Sequence, residues 1–85
     1  MQHFTHVLHD EHGFHMRPAK DFCTLAKKFA STITISFREK NADAKRLIAV
    51  MSLGAKCNDC ITLSFDGSDE VQAANALQKF LCENL

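Results

Sequence analysis

The chain has 85 residues, 46% of them apolar, with seven Phe and neither Trp nor Tyr. That length holds one small domain with one modest core, 1–85 as a single unit, and excludes a nucleotide domain joined to a catalytic one; the apolar share excludes a disordered chain. Ten Lys and Arg balance ten Asp and Glu, so the molecule as a whole has no general attraction for nucleic acid.

Phe4 to Leu8 is predicted as a first strand, with Phe4, His6 and Leu8 on one face and His3, Thr5, Val7 and His9 on the other. Its apolar residues are divided between the faces, so neither is marked as inward. Asp10 to Gly13 reads as a loop. Met16 to Phe29 reads as an amphipathic helix. Ala19, Phe22, Ala26 and Phe29 recur at three- and four-residue steps with Leu25 beside them, and Lys20, Asp21, Thr24, Lys27 and Lys28 fall on the wet side. Pro18 suits the first turn, where its missing N–H costs nothing. Thr32 to Phe37 alternates Thr or Ser with Ile or Phe and is the clearest strand. Arg38 to Asn41 is predicted as a turn, Ala42 to Lys45 as a short strand, and Leu47 to Leu53 as a short helix closed by Gly54. Cys60 to Phe65 is a further strand, with Ile61, Leu63 and Phe65 on one face. After the Asp66-Gly67 turn, Ser68 is the predicted cap of a last helix. Its face is Val71, Ala74, Leu77, Gln78 and Leu81. The order β-α-β-β-α-β-α, with half-buried strands and amphipathic helices, predicts an α+β fold. We expect a two-layer sandwich with a mostly antiparallel sheet and the helices on one side.

No apolar run reaches the ~18 residues of a membrane span, and no signal peptide is visible. The cysteines at 23, 57, 60 and 82 are therefore expected to be free thiols, and the location cytoplasmic. Lys20, Lys27, Lys28, Lys45 and Arg46 lie between positions 20 and 46, whereas Asp66, Asp69, Glu70 and Glu83 lie in the last quarter. A locally basic face follows, suited to an acidic protein partner.

Gly13-Phe14-His15-Met16-Arg17-Pro18-Ala19 carries the chemistry. It sets a histidine just before a helix start, with an arginine two residues later. An imidazole titrating near ~6.5 is largely neutral and nucleophilic at physiological pH. The helix start offers free backbone N–H groups and the positive end of the peptide dipoles. Arginine offers a fixed cation shaped for phosphate oxygens. His15 and Arg17 are thus the candidate catalytic residues for carrying a phosphoryl group, with Met16, Arg17 and Pro18 as the phosphate-binding backbone.

This segment resembles the active-site signature of the HPr family, the histidine-containing phosphocarriers of the bacterial sugar phosphotransferase system. Lys45 to Gly54, above all Val50-Met51-Ser52-Leu53-Gly54, resembles that family's second characteristic region, at matching separation. The resemblance spans the chain without a large insertion. It implies an open-faced sandwich of four antiparallel strands and three helices. It also implies that His15 accepts phosphate on Nδ1 from phosphorylated Enzyme I and donates it to the A domain of a sugar-specific Enzyme II. Met16, Lys20, Lys27, Leu47, Ile48 and Met51 would form the partner-binding surface of a monomeric carrier that needs no cofactor. The chain departs from the family pattern in three places. Arg46 stands where Gram-positive members carry a regulatory serine, so control by a serine kinase is not expected and a proteobacterial origin is favoured. Thr24 stands where many members carry a basic residue. His6 replaces the usual aliphatic residue of the first strand.

Two further patterns attract notice. His3, His6, His9, His12 and His15 recur every third residue, but strand alternation sends such neighbours to opposite faces, so only a pair such as His3 and His9 is expected to share one, and no metal site is predicted. Cys57-Asn58-Asp59-Cys60 has CxxC spacing but leads into a strand rather than a helix, which is not the setting of a redox thiol. A regulatory docking protein using the same surface, and a small metal or thiol-redox protein, are the alternatives to a phosphocarrier. No nucleotide-binding glycine motif is present.

Overall fold

In the computed structural model, the alternating segment Thr32–Phe37 buries Ile33, Ile35 and Phe37 and turns its hydroxyl residues away from the core. The structure describes residues 2–9 and 16–85, with Met16 and Arg17 described by their backbone alone. The elements are β1 (Gln2–Val7), α1 (Met16–Ala26), β2 (Thr32–Phe37), β3 (Lys40–Asp43), α2 (Leu47–Ser52), β4 (Cys60–Asp66) and α3 (Glu70–Asn84). The strands form one sheet in the order β1-β4-β2-β3. All three pairings are antiparallel, with Phe4 opposite Leu63, Ile35 opposite Leu63 and Ile35 opposite Ala42. This is the expected sandwich of a four-stranded antiparallel sheet and three helices.

The core lies between sheet and helices. Phe22 and Ala26 of α1, Ile33 and Ile35 of β2, Val50 of α2, Ile61, Leu63 and Phe65 of β4, and Leu77 and Leu81 of α3 are all buried there. In β1 the divided apolar pattern resolves in favour of Phe4, His6 and Leu8. Leu8 is fully buried and Phe4 and His6 half-buried, whereas His3, Thr5 and Val7 are exposed. Phe4 stacks on Phe65 at 5.6 Å between ring centroids.

Several boundaries differ from the sequence expectation, each for a local reason. β1 starts at Gln2 and ends at Val7. Leu8 lies just beyond it, because its N–H and carbonyl pair with the Asp59 carbonyl and the Asn58 N–H of a turn rather than with a strand. α1 ends at Ala26 rather than Phe29. Its exit tightens into i→i+3 bonds, Lys28 N–H to the Leu25 carbonyl and Phe29 N–H to the Ala26 carbonyl. β3 begins at Lys40, so the turn is only Arg38-Glu39. Arg38 takes φ 58°, the left-handed conformation such a two-residue hairpin requires, and its guanidinium lies 5.0 Å over the Phe37 ring.

The last helix differs most. Ala73, Leu77 and Leu81 form its buried stripe. Val71 and Gln78, expected on that face, are exposed, and Ala74 is half-buried. The N-cap is Asp69 rather than Ser68, and its carboxylate does not cap the helix. It instead accepts the N–H groups of Ala30 and Ser31, at 2.8 and 2.9 Å, and the Ser31 hydroxyl. These bonds hold the Asp69 carboxyl below its ordinary range. Ser31 is fully buried, and Gly67 passes so close that a Cβ there would stand 2.6 Å from the Ser31 Cα. Only glycine fits, so the start of α3 is locked to the loop between α1 and β2.

Candidate functional site

The first turn of α1 contains no acidic residue, so nothing in it offsets the positive end of the helix. Pro18 is buried in that turn, as its missing N–H permits. His15, and the side chains of Met16 and Arg17, lie outside the described residues. From Pro18 onward α1 turns Ala19, Phe22, Cys23 and Ala26 into the core and leaves Lys20, Asp21, Thr24, Lys27 and Lys28 exposed. Thr24 donates its hydroxyl to the Lys20 carbonyl at 2.9 Å.

α2 packs against α1 and shows three degrees of burial in one short helix. Val50 is fully buried, Leu47 and Met51 are half-buried against the core, and Ile48 is 75% exposed. Leu47 and Met51 thus serve both packing and surface, and Ile48 is the apolar side chain facing water. Arg46 is the N-cap of α2, exposed and without a side-chain cap bond.

One contact has no counterpart in the sequence analysis: the Lys45 Nζ donates to the Phe29 carbonyl at 2.8 Å. A lysine following a strand and facing a helix exit could have signalled it.

Among the described residues no group of three His, Cys, Asp or Glu converges as for a metal ion. Cys57, Cys60, Cys82 and the buried Cys23 are free. Burial pushes the Cys23 thiol up. The histidines pair differently from expectation. Because β1 stops at Val7, strand alternation no longer governs His9, and its ring meets that of His6 edge-on at 6.0 Å. His6 Nε2 is buried without a hydrogen-bond partner. Burial is the main cause that pulls the His6 pKa down; the neighbouring His9 adds to it, and a hydrogen bond with the Leu85 backbone opposes it. The unfolded chain therefore takes up this proton before the folded one does. Stability is expected to fall as pH drops through and below the ordinary histidine range near ~6.5, well before carboxylates titrate near ~4. Chemical denaturation at stepped pH checks this. H6L should flatten the curve between pH ~5 and ~7, and an unchanged curve in H6L would assign the dependence elsewhere.

Residues 2–83 match the family model described as the PTS HPr component phosphorylation site. The chain belongs to the HPr family. It is 42% identical over 72 residues to the phosphocarrier protein HPr of Buchnera aphidicola subsp. Acyrthosiphon pisum (strain APS), covering 85% of each chain. A solved Mycoplasma histidine-containing phosphocarrier protein superposes with a TM-score of 0.94 at 34% identity, covering 96% of this chain and 93% of that one. HPr-C-His from Thermoanaerobacter tengcongensis gives a TM-score of 0.94 at 34% identity, over 98% and 93%. HPr membership brings the general role of a phosphocarrier and accounts for the open-faced sandwich. No helix among the described residues is long and apolar enough to cross a membrane.

Proposed function

We propose that the chain accepts a phosphoryl group on Nδ1 of His15 from phosphorylated Enzyme I and passes it to the A domain of a sugar-specific Enzyme II, acting as a cytoplasmic monomer. The carrying observation is the family match, which is described by its phosphorylation site and runs through both the His15 segment and α2. In each transfer the donor nitrogen–phosphorus bond breaks as the bond to the acceptor nitrogen forms, and the departing nitrogen keeps the electron pair. Little acid–base work is needed, so positioning and charge neutralisation dominate. The backbone N–H groups of Met16 and Arg17 and the Arg17 guanidinium supply these, helped by the α1 dipole. Pro18 has no N–H and contributes its fixed φ instead. Lys20, Lys27, Leu47, Ile48 and Met51, with Met16, form the surface that both partners visit in turn.

Incubation with Enzyme I, Mg²⁺ and phosphoenolpyruvate, followed by mass spectrometry under conditions that preserve acid-labile phosphate, tests the reading. Phosphate on His15 supports it. A chain left unmodified by an Enzyme I that phosphorylates a control carrier would overturn it. R17E should slow transfer about a hundredfold, since it replaces a phosphate-binding cation by a like charge. An unchanged rate would remove Arg17 from the site.

A further inference from the structure

We propose that Lys45 is a positioning residue: its ammonium braces α2 against the exit of α1 and so sets the geometry of the docking surface, rather than meeting a partner's acidic groups itself. The inference rests on the docking surface proposed above. Lys45 is half-buried, and its Nζ reaches the Phe29 carbonyl at 2.8 Å. Phe29 lies three residues beyond the end of α1 at Ala26, where carbonyl groups have run out of helical donors and a cation is favoured by the dipole. The backbone that carries Lys45 is equally constrained. Its own N–H goes to Asp43 Oδ1 at 2.9 Å. The Arg46 N–H goes to the Asp43 carbonyl and the Ala44 N–H to the Ile33 carbonyl, both at 3.0 Å. Ala44 is fully buried. The corner that launches α2 is therefore fixed to β2 through its backbone and to the loop that leaves α1 through one side chain. A helix of six residues has little stability of its own and takes its orientation from such ties. Lys20 and Lys27 are exposed by contrast, and their ammonium groups are free to meet a partner directly.

The two roles separate by salt dependence. Removing a docking cation weakens the response of association to ionic strength, because one attraction is lost. Removing a brace shifts the apolar contacts and leaves that response intact. Phosphoryl transfer from Enzyme I should be followed across ionic strength with K45M, K45R, K27M and I48E, at a temperature where circular dichroism reports each variant folded. We expect K45M to raise the KM for this carrier about three- to tenfold with kcat and the salt slope unchanged. K45R should recover most of the loss, because a guanidinium also donates to the Phe29 carbonyl. K27M should flatten the slope. A K45M variant that flattens the slope as K27M does would make Lys45 a docking cation and overturn the proposal. If I48E raises KM and K45M does not, the brace alone is wrong. If I48E leaves KM unchanged, the docking surface itself is wrong and the role given to Lys45 falls with it.

Discussion

H15A is expected to accept no phosphoryl group from phosphorylated Enzyme I. The proposed intermediate is a bond between phosphorus and an imidazole nitrogen, and alanine has no atom that can replace that nucleophile. No other group in the signature can substitute. Arg17 stays protonated, and the N–H groups of the first turn stabilise charge without attacking phosphorus. The loss should therefore be complete within detection, not a partial slowing. H15A is expected to fold as the parent does, which circular dichroism checks alongside. The same radiolabel or mass-spectrometric assay serves as readout. Undiminished phosphorylation of H15A would move the acceptor to another residue. His9, exposed just after β1, is then the next to examine.

F65A is expected to have the largest effect on stability, a loss of about 3–5 kcal/mol. Phe65 is completely buried on β4, an inner strand of the sheet. Its register partners are Gln2 on one side and Ile33 on the other, and Phe4 stacks on its ring. Truncation leaves a cavity at the junction of both central pairings, and the neighbouring backbone cannot close on it without distorting two ladders. A domain of this size has roughly 4–13 kcal/mol to lose, so the variant should melt far below the parent or be partly unfolded at ambient temperature. Urea denaturation gives the figure directly. A loss below about 1 kcal/mol would mean that the site collapses freely, contrary to its position between β1 and β2.

Much of this fold is legible because its signals are local. Thr32–Phe37 and Cys60–Phe65 alternate cleanly, and both bury the residues their pattern predicts. α2 starts at Leu47, and the sandwich follows from the order of elements. The misreadings arise where distant residues decide. Nothing near Ser68 reveals that Asp69 is committed to Ala30 and Ser31, and the helix starts one residue later than the Ser68 cap signal suggests. The stripe of α3 turns on which side the sheet lies. Val71 and Ala73 compete on equal terms until packing buries Ala73. His6 and His9 were separated by a rule that holds only inside a strand, and the strand stops between them. The candidate site was legible as a motif, because a histidine before a proline-bearing helix start is a contiguous signal. The brace at Lys45 was not, since its partner Phe29 is sixteen positions away.

The strand order β1-β4-β2-β3 has a consequence for how the molecule is born. The first strand made pairs only with the last, Gln2 lying opposite Phe65. During synthesis β2 and β3 can close their hairpin early, as local pairings do. β1 has to wait, an unpaired edge, until β4 has been made and can enter between it and β2. Two of the sheet's three pairings, both made by β4, therefore wait for the translation of its final strand.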